Sequence, residues 1–161
     1  MQLTLRFLML LALVIWLGGL IFFAFVVAPT VFHPGILPTR DLAGNVVNRS
    51  LGILHLMGLA CGVVFVIVSM ILQKLKTGST QSLAASHVLI YIMLVLTLIA
   101  QFGVASKMAA LRTSMGVIDN VPLTDARRVE FDHLHRWSTS LGGSILFLGV
   151  GVLLLTARRL S

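Results

Sequence analysis

Four long apolar runs dominate the sequence and limit what the chain can fold into. They cover approximately residues 7–32, 51–73, 87–106 and 134–157. Each is long enough for a helix to cross a hydrocarbon core of ~30 Å, which takes about 20 residues. We predict an all-α integral membrane four-helix bundle with both termini on the same side. Residues 1–161 are predicted to form a single four-span domain.

The composition supports a membrane protein and disfavours nucleic-acid binding. The chain is 58% hydrophobic and 11% charged, whereas about a quarter of the residues in soluble domains are charged. The formal charge is +7, but the basic residues lie at the ends of apolar runs, where membrane topology and headgroup attraction explain them. The first run is too long for a signal peptide and is predicted to be a retained span.

The connections are marked by proline, glycine and polar residues. We predict a connecting loop with room for a short helix over residues 33–49, where prolines interrupt the pattern, a polar connection over residues 76–82, and a loop over residues 115–123. Thr124 or Asp125 is a natural N-cap for the fourth helix. Lys and Arg are nearly balanced between the two sides. The basic residues opposite the termini lie close to the histidine-containing stretch described next, which gives them a role other than setting the orientation. We therefore predict cytoplasmic termini in a bacterial inner membrane.

The most unusual stretch is Arg127–Ser138, which is charged, carries two histidines and continues directly into the fourth apolar run. His135 begins the fourth span, and His55 lies five residues into the second. The two spans run in the same direction, so both imidazoles are expected at a similar depth. Small residues such as Gly58 and Gly142 share their stripes, which predicts that both histidines point into the bundle.

These histidines predict a binding site for a metal ion or haem. Two neutral imidazoles are suitable axial ligands for haem iron, and copper is the other candidate. His33 ends the first span on the same side and is a third candidate metal ligand. The alternative is structural, because a membrane histidine can also hydrogen-bond a backbone carbonyl and tie two helices together.

Other residues complete the predicted site. Arg49 and Arg112 have no acid nearby in the sequence, so they are candidates for binding a carboxylate or a haem propionate. Trp16 is placed to line the bound group, although close helix packing is the interpretation that we favour for it. No paired carboxylates and no nucleophile–base set are recognisable in the sequence. Whether the protein is an enzyme therefore stays open, and we rank a hydrolytic enzyme behind a binding protein and a transporter.

Several motifs resemble a known family. They are the run from Trp16 to Phe23 followed by Ala28-Pro29, the pair Leu54-His55, the run from Lys107 to Arg112, and Phe131-x-x-x-His135-x-x-Ser138. Together they resemble the transmembrane-protein-205-like domain family, and the chain looks like a bacterial member. The first span is also similar to that of copper-resistance D proteins. The resemblance implies four membrane helices with His55 and His135 at the matched positions, and it implies no activity.

Two other functions remain open from the sequence. The histidines would suit a transporter or permeation element for a small solute or ion, because imidazoles titrate near neutral pH. Alternatively, small-residue faces such as Gly58-x-x-x-Gly62 would suit an accessory subunit that docks into a larger membrane complex or a homo-oligomer.

Overall fold

The computed structural model describes residues 1–78 and 85–160, and this part of the chain confirms the all-α prediction. Four helical rods are long and apolar enough to cross a membrane: span 1 (Gln2–Val31), span 2 (Arg40–Leu75), span 3 (Ala85–Met115) and span 4 (Ala126–Arg158). Most of the polar connection predicted over residues 76–82 lies outside the described residues.

Two of the four rods are interrupted by π-helical segments. Span 1 contains α1 (Gln2–Phe22), a π-helical segment (Phe23–Val27) and α2 (Ala28–Val31). Span 2 belongs to α3 (Arg40–Thr77), and span 4 belongs to α6 (Ala126–Leu160). Span 3 contains α4 (Ala85–Leu98), a second π-helical segment (Ile99–Ala105) and α5 (Ser106–Met115). A 3-10 turn (Ile118–Asn120) lies between spans 3 and 4.

The spans alternate in direction, and each packs against two neighbours. Span 1 contacts spans 2 and 4, and span 3 contacts the same two, so spans 2 and 4 occupy opposite corners. This arrangement brings both termini to one end of the bundle. The core between the spans is mainly apolar, and its largest fully buried apolar side chains are Leu13, Trp16, Phe65, Ile90, Met93, Ile145 and Val152.

The helices extend further on the loop side than the apolar runs predict. The rods contain 30 to 36 residues, or about 45–54 Å at 1.5 Å per residue, which exceeds a hydrocarbon core of ~30 Å. The loop prediction over residues 33–49 is wrong beyond Thr39, because the helix of span 2 already begins at Arg40. There the Thr39 hydroxyl caps the helix by accepting a hydrogen bond from the Leu42 backbone N–H at 3.2 Å. We call the helix ends at residues 40–50, 106–115 and 126–137 the crown.

Arginines fix the loop between spans 3 and 4 to the crown. Asp125 accepts hydrogen bonds from the Arg127 backbone N–H and side chain, each at 2.8 Å, so the predicted cap at Asp125 is confirmed. The hydrogen bonds and charge of Arg127 lower the pKa of the Asp125 carboxyl to about 2. Arg128 donates to the Ile118 carbonyl at 2.9 Å and pairs with Asp132 at 3.4 Å.

Candidate functional site

The candidate site centres on His55, which lies in span 2 and is 4% exposed. Its Nδ1 lies 3.0 Å from the side-chain oxygen Oε1 of Gln101 in span 3. An amide oxygen only accepts hydrogen bonds, so Nδ1 carries the proton and donates it. In the neutral ring, Nε2 then keeps its lone pair. Among the described residues no group bonds to Nε2, so it is available to a ligand.

Gln101 lies within the second π-helical segment, Ile99–Ala105. A π-helical segment inserts extra backbone into the helical turn, which rotates the following side chains relative to an α-helix; such segments are frequent at functional sites. Here the segment places the Gln101 amide between spans 2 and 3. Its Nε2 donates no hydrogen bond within the described residues. The pair therefore contains two amide hydrogens and one imidazole nitrogen that have no partner among the described residues.

The backbone of span 2 next to this pair carries no side chain, because the residue there is Gly52. A Cβ added to Gly52, one turn before His55, would lie 3.7 Å from Nε2 of Gln101 and 3.9 Å from Oε1. Gly52 is therefore close to the amide without covering it. The neighbouring side chains Ile53 and Leu56 are 64% and 54% exposed on the outer surface of the bundle. The groove between spans 2 and 3 beside the Gln101 amide therefore adjoins the outer surface of the bundle.

Trp16 lies one turn deeper than His55 and is 1% exposed. Its indole packs over Gly58 and Gly62, and a Cβ on Gly62 would lie only 2.8 Å from ring atom Cζ3. The GxxxG pair thus holds an aromatic side chain from span 1. The sequence interpretation of Trp16 as a packing residue matches this geometry. As the indole itself occupies the space above both glycines, it does not line a cavity there.

His135 does not join His55. The prediction that both imidazoles point into the bundle is wrong for His135, whose side chain is exposed. The predicted common depth also fails. The Arg112 guanidinium lies over the Phe131 ring, and His55 is level with Gln101, which places His135 about 10 Å nearer the loop side than His55. The stripe of small residues in span 4 misled the prediction, because a Cβ on Gly142 would meet nothing within 4 Å.

The remaining predicted metal ligand also lies apart. His33 is exposed after the end of span 1, and its Nδ1 donates to the Pro34 carbonyl at 2.9 Å. His133 is exposed on span 4, where it meets Trp137 edge to face at 6.4 Å. Within residues 1–78 and 85–160, no group of three or more His, Cys, Asp or Glu side chains is arranged to hold a metal ion.

Arg112 joins three spans within the crown. It donates to Asn45 Oδ1 at 2.7 Å and lies 3.8 Å from the carboxylate of Asp41, both in span 2. Its guanidinium lies 5.6 Å from the ring centre of Phe131 in span 4. The sequence interpretation that Arg112 lacks an acid partner applies only locally, since Asp41 is 71 residues away. Arg49, the other predicted anion-binding residue, is exposed.

Sequence reasoning missed a second buried histidine. His87 in span 3 is 0% exposed, and its Nε2 is hydrogen-bonded to Ser69 Oγ of span 2 at 2.8 Å. This contact and the His55–Gln101 bond join the same two spans near opposite ends of the bundle. Gln101 was also missed, although a glutamine inside the apolar run before Val104 is itself a signal of a buried polar site.

Comparison with known proteins identifies a family without an assigned activity. The chain matches the model of a family described as "Domain of unknown function (DUF4149)" over residues 11–116. No curated protein and no solved structure matches the chain. The match includes Trp16, His55, Gln101 and Arg112, and it ends before span 4. It gives no support to the resemblances to the transmembrane-protein-205-like family or to copper-resistance D proteins. Because the match covers more than half of the sequence, the chain belongs to the DUF4149 family of uncharacterised proteins.

Proposed function

We propose that this protein is a non-enzymatic membrane protein that binds a small ligand at the His55–Gln101 pair. His55 is 4% exposed, and its Nδ1 lies 3.0 Å from an amide oxygen while Nε2 stays unbonded among the described residues; this geometry carries the proposal. Polar side chains inside membrane spans are costly and have a functional role by default. The π-helical position of Gln101 adds weight, because such segments recur at binding sites.

A metal ion or haem fits these residues poorly. The Gln101 bond does orient His55 as second-shell partners orient metal-ligating histidines, leaving Nε2 to the metal. His135 and His33 are exposed elsewhere, however, and the described chain contains no group of three His, Cys, Asp or Glu side chains arranged to hold a metal ion. Of the predicted metal ligands, His55 alone lies at this site.

Analysis of bound small molecules tests the proposal. The wild-type protein, His55→Ala and the matched control His135→Ala would be purified in nanodiscs, denatured and analysed by absorption, elemental analysis and mass spectrometry. We expect a molecule or metal that is retained in wild type and His135→Ala and lost in His55→Ala. Identical contents in all three preparations would refute the proposal.

A role as an accessory subunit is the second candidate. The bonds His55–Gln101 and His87–Ser69 both tie span 2 to span 3, which is the structural use of membrane histidines. If His55→Ala changes no bound molecule but native purification brings the same partner with every variant, this function is favoured.

A role in transport receives less support. Phe65, Ile90 and Met93, each at most 1% exposed, lie between the two histidine contacts and place an apolar layer there. Flux in liposomes that depends on pH and disappears in His55→Ala would overturn this ranking.

A further inference from the structure

We infer that the His55–Gln101 pair binds the uncharged headgroup of a lipid-soluble quinone or quinol, which enters from the bilayer beside Gly52. This inference rests on the proposed function and names the class of ligand for that site. It concerns binding only and includes no electron transfer.

The hydrogen-bonding pattern selects the headgroup. With the proton of His55 on Nδ1 and bonded to Gln101 Oε1, the pair offers two amide hydrogens and one unprotonated ring nitrogen. A quinone carbonyl accepts from the Gln101 amide. A quinol hydroxyl donates to His55 Nε2. The site therefore matches both forms of such a headgroup with one donor group and one acceptor.

The charges around the pair select an uncharged ligand. The only partner that the described residues give His55 is the neutral amide of Gln101. Arg112 is hydrogen-bonded to Asn45 and close to Asp41 in the crown, eleven residues along span 3 from Gln101 and about 16 Å away. Arg49 and Lys107 are nearer, about six residues along the helix from His55 and Gln101, but both side chains are exposed. Burying an ionised ligand in this environment without a paired charge costs far more than burying a neutral one that is hydrogen-bonded.

The depth and the approach select a lipid-soluble molecule. Exposed aromatic residues mark the membrane interface, and Trp137 of span 4 is 54% exposed. Measured from the Arg112–Phe131 contact, the His55–Gln101 pair lies about 7 Å deeper than Trp137. Gly52 leaves the amide uncovered beside Ile53, which is 64% exposed to the lipid. A headgroup at this depth enters sideways while its tail stays among the acyl chains.

Tryptophan fluorescence supplies a local readout. The chain has two tryptophans, and Trp137→Phe leaves Trp16, whose ring packs over Gly58 one turn from His55. Quinones quench indole emission at short range. We would titrate Trp137→Phe protein in nanodiscs with a short-tail benzoquinone and record Trp16 emission, expecting saturable quenching.

The decisive variant is Gly52→Val in the Trp137→Phe background. The new Cβ would lie 3.7 Å from the Gln101 amide nitrogen, which is an ordinary contact. His55 and Gln101 therefore stay in place, while the two valine methyl groups block the path from the lipid to the amide. We expect the quinone concentration that gives half-maximal quenching to rise at least tenfold. The control Gly143→Val adds the same group where a Cβ meets nothing within 4 Å and should leave half-saturation unchanged.

Two outcomes would overturn the inference. One is quenching that rises linearly without saturation, as from quinone dissolved in lipid. The other is saturable quenching that Gly52→Val leaves unaltered. If the bound-molecule analysis instead finds a metal or an anionic lipid that depends on His55, the proposed function stands and this inference fails.

Discussion

The indole of Trp16 lies so close over Gly58 that a Cβ on this glycine would overlap the ring nitrogen Nε1. We therefore expect Gly58→Ala to destabilise the bundle by about 1–3 kcal/mol, the usual cost of overpacking a filled core. Thermal unfolding in detergent measures the effect. Gly18→Ala is the matched control in span 1, because its Cβ would meet nothing within 4 Å. Equal stability of Gly58→Ala and wild type would show that spans 1 and 2 are not packed this closely.

The Arg112–Asn45 hydrogen bond is expected to stabilise the crown. Asn45→Ala removes an acceptor 2.7 Å from the guanidinium and should cost about 1 kcal/mol. Hydrogen exchange should accelerate in residues 40–50. Asn48→Ala, an exposed asparagine in the same helix end, serves as the control. In a double-mutant cycle with Arg112→Lys the two effects should not be additive, and additivity would refute the direct contact.

The Ser69–His87 bond is expected to contribute to the packing of spans 2 and 3. Ser69→Ala should lower the free energy of unfolding by about 0.6 kcal/mol, with ~1.7 kcal/mol as the upper bound for hydrogen bonds between membrane helices. Ser144→Ala on the exposed face of span 4 should change stability less. Reversible unfolding in mixed micelles compares the two variants, and the opposite order would contradict the assignment.

The stability contributed by Asp125 should disappear in acid. Its folded-state pKa is about 2, below the ordinary value of 3.8, so the ionised form is favoured in the folded protein. The contribution is complete above pH 3.8 and is lost as the pH falls towards about 2. Unfolding temperatures of wild type and Asp125→Asn should differ at pH 5 and converge near pH 2. A constant difference across this range would contradict the cap.

Hydropathy was sufficient to predict the number of spans and the helical class. Crossing a bilayer requires long apolar helices, and a four-span chain contains few other long apolar runs. The helix ends were less predictable. Asp41 and Asn45 lie in a polar stretch after three prolines, and that stretch is helical because Thr39 caps it and Arg112 binds it from another span. The sequence does not show a contact across 71 residues.

The candidate site was half predictable. The burial of His55 followed from its stripe of glycines, and the structure confirms it. The same rule failed for His135, because small residues in span 4 also occur where no helix approaches. Gln101 stands out as a polar residue in an apolar run, but the face it occupies was not predictable. A face assignment made with 3.6 residues per turn does not hold across the π-helical segment Ile99–Ala105.

The two histidine contacts between spans 2 and 3 have a mechanical consequence. Fourteen residues separate His55 from Ser69, and the same number separates His87 from Gln101. The two hydrogen bonds therefore join spans 2 and 3 at two points about 21 Å apart along the helix axes. A sliding or twisting motion of one span along the other would break both at once. A rearrangement that keeps both hydrogen bonds must therefore move these two helices together at both levels of the bundle.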